Sequence, residues 1–310
     1  MTTSFDQLMN VYWLRPETAL WRELDIRAMR SFAFNSPSLD IGCGDGLFAF
    51  VRAGGKFDPI FDAFRSVSGL DKFIENVDVF DSYSEHVSPE VVKLPEYQID
   101  CEFDHKENLL KKAGQLGLYG MLKEGDANQP LPFQSYSFNS IFSNIVYWLD
   151  DPQAVILEIS RILRRGGKAC LMLPNENLPE FSFYNQLFVK TGDPKWAFLE
   201  KLDRGRFSEN IRQARSQAAW EAMFKAARLR IFEHNSHLSK TVIQVWDIGL
   251  RPLFPVLHRM AGAIPEKDFI DIKREWISTM HQFLEPLIDM DGSLTQGKEP
   301  AFHCYILEKL

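Results

Sequence analysis

The sequence predicts an α/β fold built on an open, mostly parallel sheet, and two observations carry that reading. The first is the stretch Leu39-Asp40-Ile41-Gly42-Cys43-Gly44-Asp45-Gly46, where a short apolar run ends in an acid and then in three glycines at alternate positions. It reads as a buried strand, a tight turn and the start of a helix over 47–51. The second is the train of strand-like runs that follows, interleaved with helical patterns such as the apolar stripe Val155, Ile156, Ile159, Ile162 and Leu163. Glycine at a strand-to-helix turn tolerates positive φ, and its missing Cβ lets a ligand lie against the backbone. In an open parallel sheet that turn is where a nucleotide-like ligand docks.

Composition narrows the partners. The chain has 310 residues, 45% hydrophobic and 25% charged, with a net charge of −7. That is an ordinary globular balance, and no dense basic patch points to nucleic acid. Cys43, Cys101, Cys170 and Cys304 are far apart and show no zinc spacing, so free thiols in a reducing compartment are expected and no metal is. The N-terminus has no signal-peptide core and no run reaches the length of a membrane span, so a cytoplasmic protein is expected.

Residues 1–36 read as an N-terminal helical arm, with Pro16 at the first position of a helix that continues through Leu20, Leu24 and Arg27. Residues 56–96, with Phe57, Phe61, Phe64, Phe73, Phe80 and Tyr83, are too apolar for a disordered linker. They read as an ordered insertion, packed beside the active site or at a homodimer contact. The next strand is Ile99–Asp104, then come one around Leu122–Glu124, one over 137–144 and one over 168–173. Asp151 and Pro152 open the helix before the last of these, Arg164 and Arg165 fill its final turn, and Gly166-Gly167 end it.

Gly42-x-Gly44-x-Gly46 is not the G-x-G-x-x-G of dinucleotide sites. With Leu39-Asp40 before it, an acid (Asp104) nine positions before Ala113, Gly125-Asp126-Ala127 before Leu131-Pro132-Phe133, the 137–144 strand, and Glu158-x-x-Arg161-x-Leu163-x-x-Gly166-Gly167, the stretch 38–173 resembles the class I S-adenosylmethionine (SAM)-dependent methyltransferases of the type 11 kind. The resemblance implies a Rossmann-like seven-stranded sheet, mostly parallel with the last strand antiparallel, and helical insertions. It implies SAM as cofactor and S-adenosylhomocysteine as product. Asp40, Gly42, Cys43, Gly44 and Gly46 would lie against the methionine part. Asp104 would hold the ribose, with Glu102 and Asp100 as competitors and a helix N-cap as its structural alternative. Asp126 and Ala127 would meet the adenine. Trp13 and Arg15 of the arm would supply a wall and a cation for the methionine carboxylate, unless they are core and surface residues. Asn144, Tyr147 and Trp148 follow the fourth strand, where family members expose residues toward the methyl; Tyr147 and Trp148 read equally well as core aromatics. Asn139 stands where the family usually has aspartate, which weakens a structural hydrogen bond. The Glu158–Gly167 pattern is structural.

Past residue 176 the resemblance fades. The core domain over 37–175 continues into a C-terminal part, 176–310, with a helical substrate cap over about 178–228 and 240–295. Two last strands begin at Leu229 and Ala301. Methyl transfer from a sulfonium needs positioning more than a base. If a base is used, His234 or His237, placed just beyond the sixth strand, or Tyr147, or His258 in the cap, is a candidate. An aromatic-rich cap fits a small-molecule acceptor whose reacting atom stays open between oxygen, nitrogen and carbon. The competing readings are a SAM-binding protein that acts through partners without transferring methyl, and a nicotinamide-dependent oxidoreductase.

Overall fold

The computed structural model describes residues 3–65, 67, 89–197, 212–248 and 253–310. Its main sheet contains β1 (Ser38–Ile41), β4 (Ile99–Asp104), β5 (Tyr119–Glu124), β6 (Phe138–Ser143), β7 (Leu163–Pro174), β8 (Leu229–His237) and β9 (Phe302–Lys309). A separate small pair is formed by β2 (Lys56–Phe57) and β3 (Val91–Lys93). The order in the main sheet is β5-β4-β1-β6-β7-β9-β8, parallel throughout except for β9, which is antiparallel to both its neighbours. This is the expected seven-stranded arrangement. The chain runs outward from β1 in both directions, to β4 on one side and β6 on the other, so a crevice opens beyond the carboxyl end of β1.

Central strands covered on both faces need apolar residues throughout. Leu39 and Ile41, Ile99 and Phe103, and Ala169, Cys170, Leu171 and Leu173 meet that need and are buried. One face is closed by the arm: Ala28, Met29 and Phe32 pack with Phe48, Phe142, Cys170, Met172, Cys304 and Ile306.

The helices are α1 (Ser4–Val11), α2 (Pro16–Ala28), α3 (Leu47–Arg52), α4 (Glu107–Gly114), α5 (Pro152–Ile162), α6 (Leu178–Phe181), α7 (Phe183–Thr191), α8 (Gln217–Ala226), α9 (Lys240–Ile248), α10 (Phe254–Gly262) and α11 (Glu266–Thr295). Pro16 sits at the first turn of α2, and Asp151 caps α5 through Ala154 N at 3.1 Å, as the sequence indicates. The end of α5 differs from expectation. It stops at Ile162, and Arg164 and Arg165 belong to β7 instead of a last helical turn. The amides of Tyr136 and Ser137 bond to the carbonyls of Arg161 and Ile162, which draws the chain into the sheet early. Among the described residues no helix is long and apolar enough to cross a membrane.

The 30-residue α11 is a strap across the arm. Its Lys273, 1% exposed, donates to Asn10 Oδ1 at 2.7 Å and to the carbonyls of Pro59 and Phe61. Trp276 Nε1 donates to Trp13 O at 2.6 Å. Lys273 reaches acceptors on both sides with an ammonium that burial holds down to about 8. Within the insertion, Phe57 stacks on Phe61 at 4.4 Å and Phe64 meets Phe254 edge-on at 4.9 Å. Phe73, Phe80 and Tyr83 lie outside the described residues.

Candidate functional site

The turn after β1 takes its shape from three glycines that are needed for three different reasons. Gly42, at φ +79°, leaves no room: a Cβ there would lie 2.5 Å from the Ile145 side chain. Gly46, at φ +73°, is pressed by Ala113, Leu116 and Tyr119 at 3.0–3.1 Å, locking α3 against α4 and β5. Gly44, at φ +60°, faces open space, with nothing within 4 Å of where a Cβ would be. A residue held left-handed above empty space is a cradle for something that approaches the backbone.

The floor beneath this turn is acidic. Asp104 Oδ2 accepts from Gly44 N at 3.0 Å, and its Oδ1 accepts from Lys106 N at 3.0 Å with His105 Nδ1 3.4 Å away. The N-cap of α4 is Lys106, so Asp104 ties β4 to the turn and does not cap the helix. Asp40 and Glu102 face each other directly across β1 and β4. Asp40 Oδ2 accepts from the Tyr119 hydroxyl at 2.8 Å, while Oδ1 has no partner. Glu102 is completely buried, and neither of its oxygens is hydrogen-bonded. Burial pushes the Asp40 carboxyl up to about 7, against the pull of the Tyr119 hydrogen bond. Burial pushes Glu102 up to about 9; the nearby Cys43 thiol pulls the other way, and the charges of Asp40 and Asp104 add to the rise. Asp100, the other competitor, is turned to the opposite end of the strand, where it accepts from Ser36 and Ser38.

Beyond β5, Asp126 is exposed and its Oδ1 accepts from Asn128 N at 2.8 Å, a self-closed turn. Ala127 is buried. The Glu158–Arg161 pair explains why this loop holds still. Glu158 Oε2 accepts from Leu131 N at 2.8 Å, and Arg161 donates to Leu131 O at 2.9 Å and Phe133 O at 2.8 Å. Asn139 also has a structural task that an aspartate would not perform: its amide donates to Ser36 O.

After β6, Asn144 and Ile145 are half-buried and Tyr147 is buried beside Phe302 at 5.6 Å. Trp148 is 42% exposed. The arm residues divide. Trp13 is buried and directed to the strap, its Nε1 donating to Asp62 Oδ1 at 3.0 Å and its ring edge-on to Phe269. Arg15 is buried in an ion pair with Glu17 at 3.0 Å. A cation that sequence reasoning passed over, Arg22, lies nearer the turn. Its guanidinium sits 5.1 Å over the Phe48 ring, contacts Asp25 at 3.0 Å and keeps 27% of its side chain accessible. Tyr119 was likewise missed. The helical spacing that puts Arg22 on the face opposite Leu20 and Leu24 was the available signal for the first; nothing short of the fold singles out the second.

The histidines lie inside β8, not beyond it. His234 shares a 2.9 Å contact with His303 and stacks on Tyr305 at 4.5 Å. His237 Nε2 meets Asp25 Oδ1 at 2.9 Å. His258 Nε2 bonds to the Phe64 carbonyl oxygen at 3.0 Å.

The family model for the methyltransferase domain matches residues 84–171. No curated protein matches the chain. Among solved structures, a Thermotoga maritima protein described as a SAM-dependent methyltransferase and possible histamine N-methyltransferase is 17% identical, with 75% of this chain and 80% of that one covered and a TM-score of 0.44. A candidate methyltransferase from Bacillus halodurans is 15% identical, covering 92% and 98%, at 0.42. A candidate methyltransferase of Haloferax volcanii, solved in complex with the Trm112 methyltransferase activator, is 16% identical, covering 94% and 91%, at 0.45. The matched residues include β4, β5, β6 and most of β7, and with them Asp104 and the loop after β5. Residues 84–171 thus match a methyltransferase domain, which implies S-adenosylmethionine as methyl donor, and they lie on a sheet of order β5-β4-β1-β6-β7-β9-β8.

Proposed function

We propose that this enzyme methylates a small organic acceptor, and that the turn of residues 42–46 is where its donor lies. The observation that carries the reading is Gly44, left-handed and open where a Cβ would stand, with its amide held by the Asp104 carboxylate. In this reading Gly42, Gly44 and Gly46 bring backbone against the methionine part, and Asp40 and Cys43 form the floor. Asp104 receives the ribose hydroxyls with the oxygen capacity its backbone bonds leave free. Asp126 and Ala127 edge the adenine, on a loop that Glu158 and Arg161 hold in place. Arg22 takes the methionine carboxylate: both arginines are paired at 3.0 Å, Arg15 with Glu17 and Arg22 with Asp25, but Arg22 keeps 27% of its side chain accessible against 7% for Arg15.

The donor supplies a methyl group already activated on a sulfonium, so the protein contributes orientation and exclusion of water. Tyr147, buried between the end of β6 and Phe302, walls the acceptor side, and Trp148 forms its accessible rim. The aromatic lining supports a small, largely apolar acceptor. His237, oriented by Asp25, is the base-side candidate that lies at the carboxyl end of the parallel strands, beside Phe302.

Calorimetric titration of the full chain with SAM, S-adenosylhomocysteine and a nicotinamide dinucleotide tests this. Micromolar binding of the first two and none of the third is expected. Absence of SAM binding overturns the site, and SAM binding without methyl transfer to any member of a small-molecule acceptor panel overturns the acceptor reading.

A further inference from the structure

The glycine turn stands over β1 and β4, and the neighbouring part of the sheet's carboxyl edge holds a cation without a counter-ion. Arg215 is pinned there by its backbone. It forms an isolated parallel bridge with Asn175, just beyond β7; its carbonyl accepts from Glu176 N at 3.1 Å and its amide donates to Pro174 O at 3.5 Å. The side chain is half-buried, and the guanidinium carbon stands 5.8 Å from the ring centroid of Trp220 in α8. Trp220 is itself wholly buried and donates to Pro174 O at 2.9 Å. Arg215 Nη2 donates to Gln213 Oε1 at 2.7 Å, while Nε is buried and has no hydrogen-bond partner. Gln213, 8% exposed, is held in turn by the carbonyls of Leu149 and Asp150, to which its Nε2 donates at 3.4 and 3.2 Å. Those two residues follow Trp148, the accessible rim of the acceptor side. Arg215 therefore lies where the carboxyl ends of β6 and β7 meet, on the edge at which an open parallel sheet receives its ligands.

Arg15 and Arg22 on the arm, and Arg212 three residues earlier, each meet a carboxylate at 2.8–3.0 Å. Arg215 meets none among the described residues, and its one side-chain hydrogen bond goes to a neutral amide. A half-buried cation with a buried, unused N–H is costly to keep unless an oxyanion joins it. We propose that Arg215 receives a carboxylate of the methyl acceptor, so that the acceptor is a small organic acid. The inference rests on the reading of residues 42–46 as the donor site and adds the chemical class of the molecule that faces it. A planar guanidinium matches a planar carboxylate, and Gln213 fixes the plane in which the two would meet. The charge count favours one negative charge over a phosphate dianion. Arg212 is already neutralised by Asp150, and two more carboxylates flank Asn175, that of Glu299, which accepts from Asn175 Nδ2 at 3.0 Å, and that of the exposed Glu176. Arg215 is a binding residue that anchors the end of the acceptor remote from the methyl group, where binding energy can be used to orient the reacting atom.

Calorimetric titration of the full chain tests this, first with S-adenosylhomocysteine and then with benzoate, indole-3-acetate and the amides of both acids. The acids and amides are titrated into the chain saturated with S-adenosylhomocysteine and into the unloaded chain, so that the arginine site is judged apart from the donor site. Each acid that binds should do so about tenfold more tightly than its amide. Arg215→Gln should erase that difference while leaving S-adenosylhomocysteine affinity and the denaturation midpoint near wild type. Arg215→Lys, the second variant should the first not fold, keeps the charge without the fork and should retain part of the difference. Equal binding of acids and amides by the wild-type chain, or binding of neither acid, overturns the proposal. So does an Arg215→Gln chain that keeps the preference for acids and loses S-adenosylhomocysteine instead, since the cation would then serve the donor. Failure of the wild-type chain to bind S-adenosylhomocysteine, with the preference for acids intact, overturns the donor site and leaves the carboxylate site standing.

Discussion

Two regions of the sheet bury polar groups without partners, and they do so to different ends. Under the glycine turn the groups are acids: Asp40 and Glu102, whose carboxyls burial pushes up. On β8 and β9 they are His303 Nε2 and the Tyr305 hydroxyl, beside His234. There burial drives His303 down to about 3, so it stays neutral as a base instead of as an acid. Both regions obey one rule, that a desolvated group abandons its charge. What separates them is position. Asp40 and Glu102 lie below a strand end that opens onto empty space, whereas Tyr305 pairs with Leu171 in mid-strand, closed in by Phe224. An orphaned group next to a cradle has something to respond to, and one inside a finished sheet does not.

The comparison breaks most sharply at Gly44. Gly44→Val should cost stability only about 1–2 kcal/mol, the strain of a left-handed branched residue. It should lower SAM affinity by about 100-fold or more, near 2.7 kcal/mol, because its side chain fills the space above the turn; chemical denaturation reads the first effect and titration of the folded variant the second. Next comes Asp104→Ala, which removes the acceptor of the Gly44 N–H and, on the proposed reading, the ribose partner, and should weaken SAM binding by about 1–3 kcal/mol. Unchanged affinity would move the ribose acid elsewhere.

Glu102→Gln sharpens the contrast through pH. A carboxyl with a raised folded value keeps its proton in the native state after the unfolded chain has lost it. Stability therefore falls as pH rises from the ordinary carboxylate range toward about 9. The glutamine variant should lose much of that decline and be about 1–2 kcal/mol more stable than wild type at the alkaline end, as chemical denaturation at several pH values will show. The smallest effect belongs to the other region. Tyr305→Phe deletes a hydroxyl that bonds to nothing, so stability should stay level or rise by up to about 1 kcal/mol, with SAM affinity unchanged.

The sequence disclosed the structural features whose cause is local. A glycine needed for positive φ, an acid at a strand end and a capped helix are written within a few residues, so Gly42, Gly44, Gly46, Asp104 and Asp151 could be found in a row of letters. The two strands at the far end of the sheet were also legible from their apolar runs. What was hidden depends on pairing across distance. Glu102 looked like a rival for one ribose role; its opposition to Asp40 exists only once β1 and β4 lie in register. The choice between Arg15 and Arg22 turns on burial, since each is paired with a carboxylate at 3.0 Å and only Arg22 stays partly accessible. The histidines seemed to follow a short strand because Phe232 alternation fades there, yet hydrogen bonding to β9 carries β8 on to His237, past a bulge at Ile231/Glu233. The stretch Glu158–Arg161 was read as structural, and the fold supplies its object, the loop after β5.

The position of β9 bears on how the molecule is made. Although it follows every other strand in the chain, it lies between β7 and β8 and pairs with both. Until residues 302–309 leave the ribosome, β7 presents a long unpaired apolar edge, and β8 has no strand to join. The arm is in the same position, since its carbonyl and amide contacts to Trp276 and Lys273 span 263 residues of sequence. A segment made earlier waits on ones made much later, and during that interval the nascent chain exposes the kind of edge that other chains pair with. Its dependence on chaperones during synthesis should accordingly exceed what its finished stability suggests.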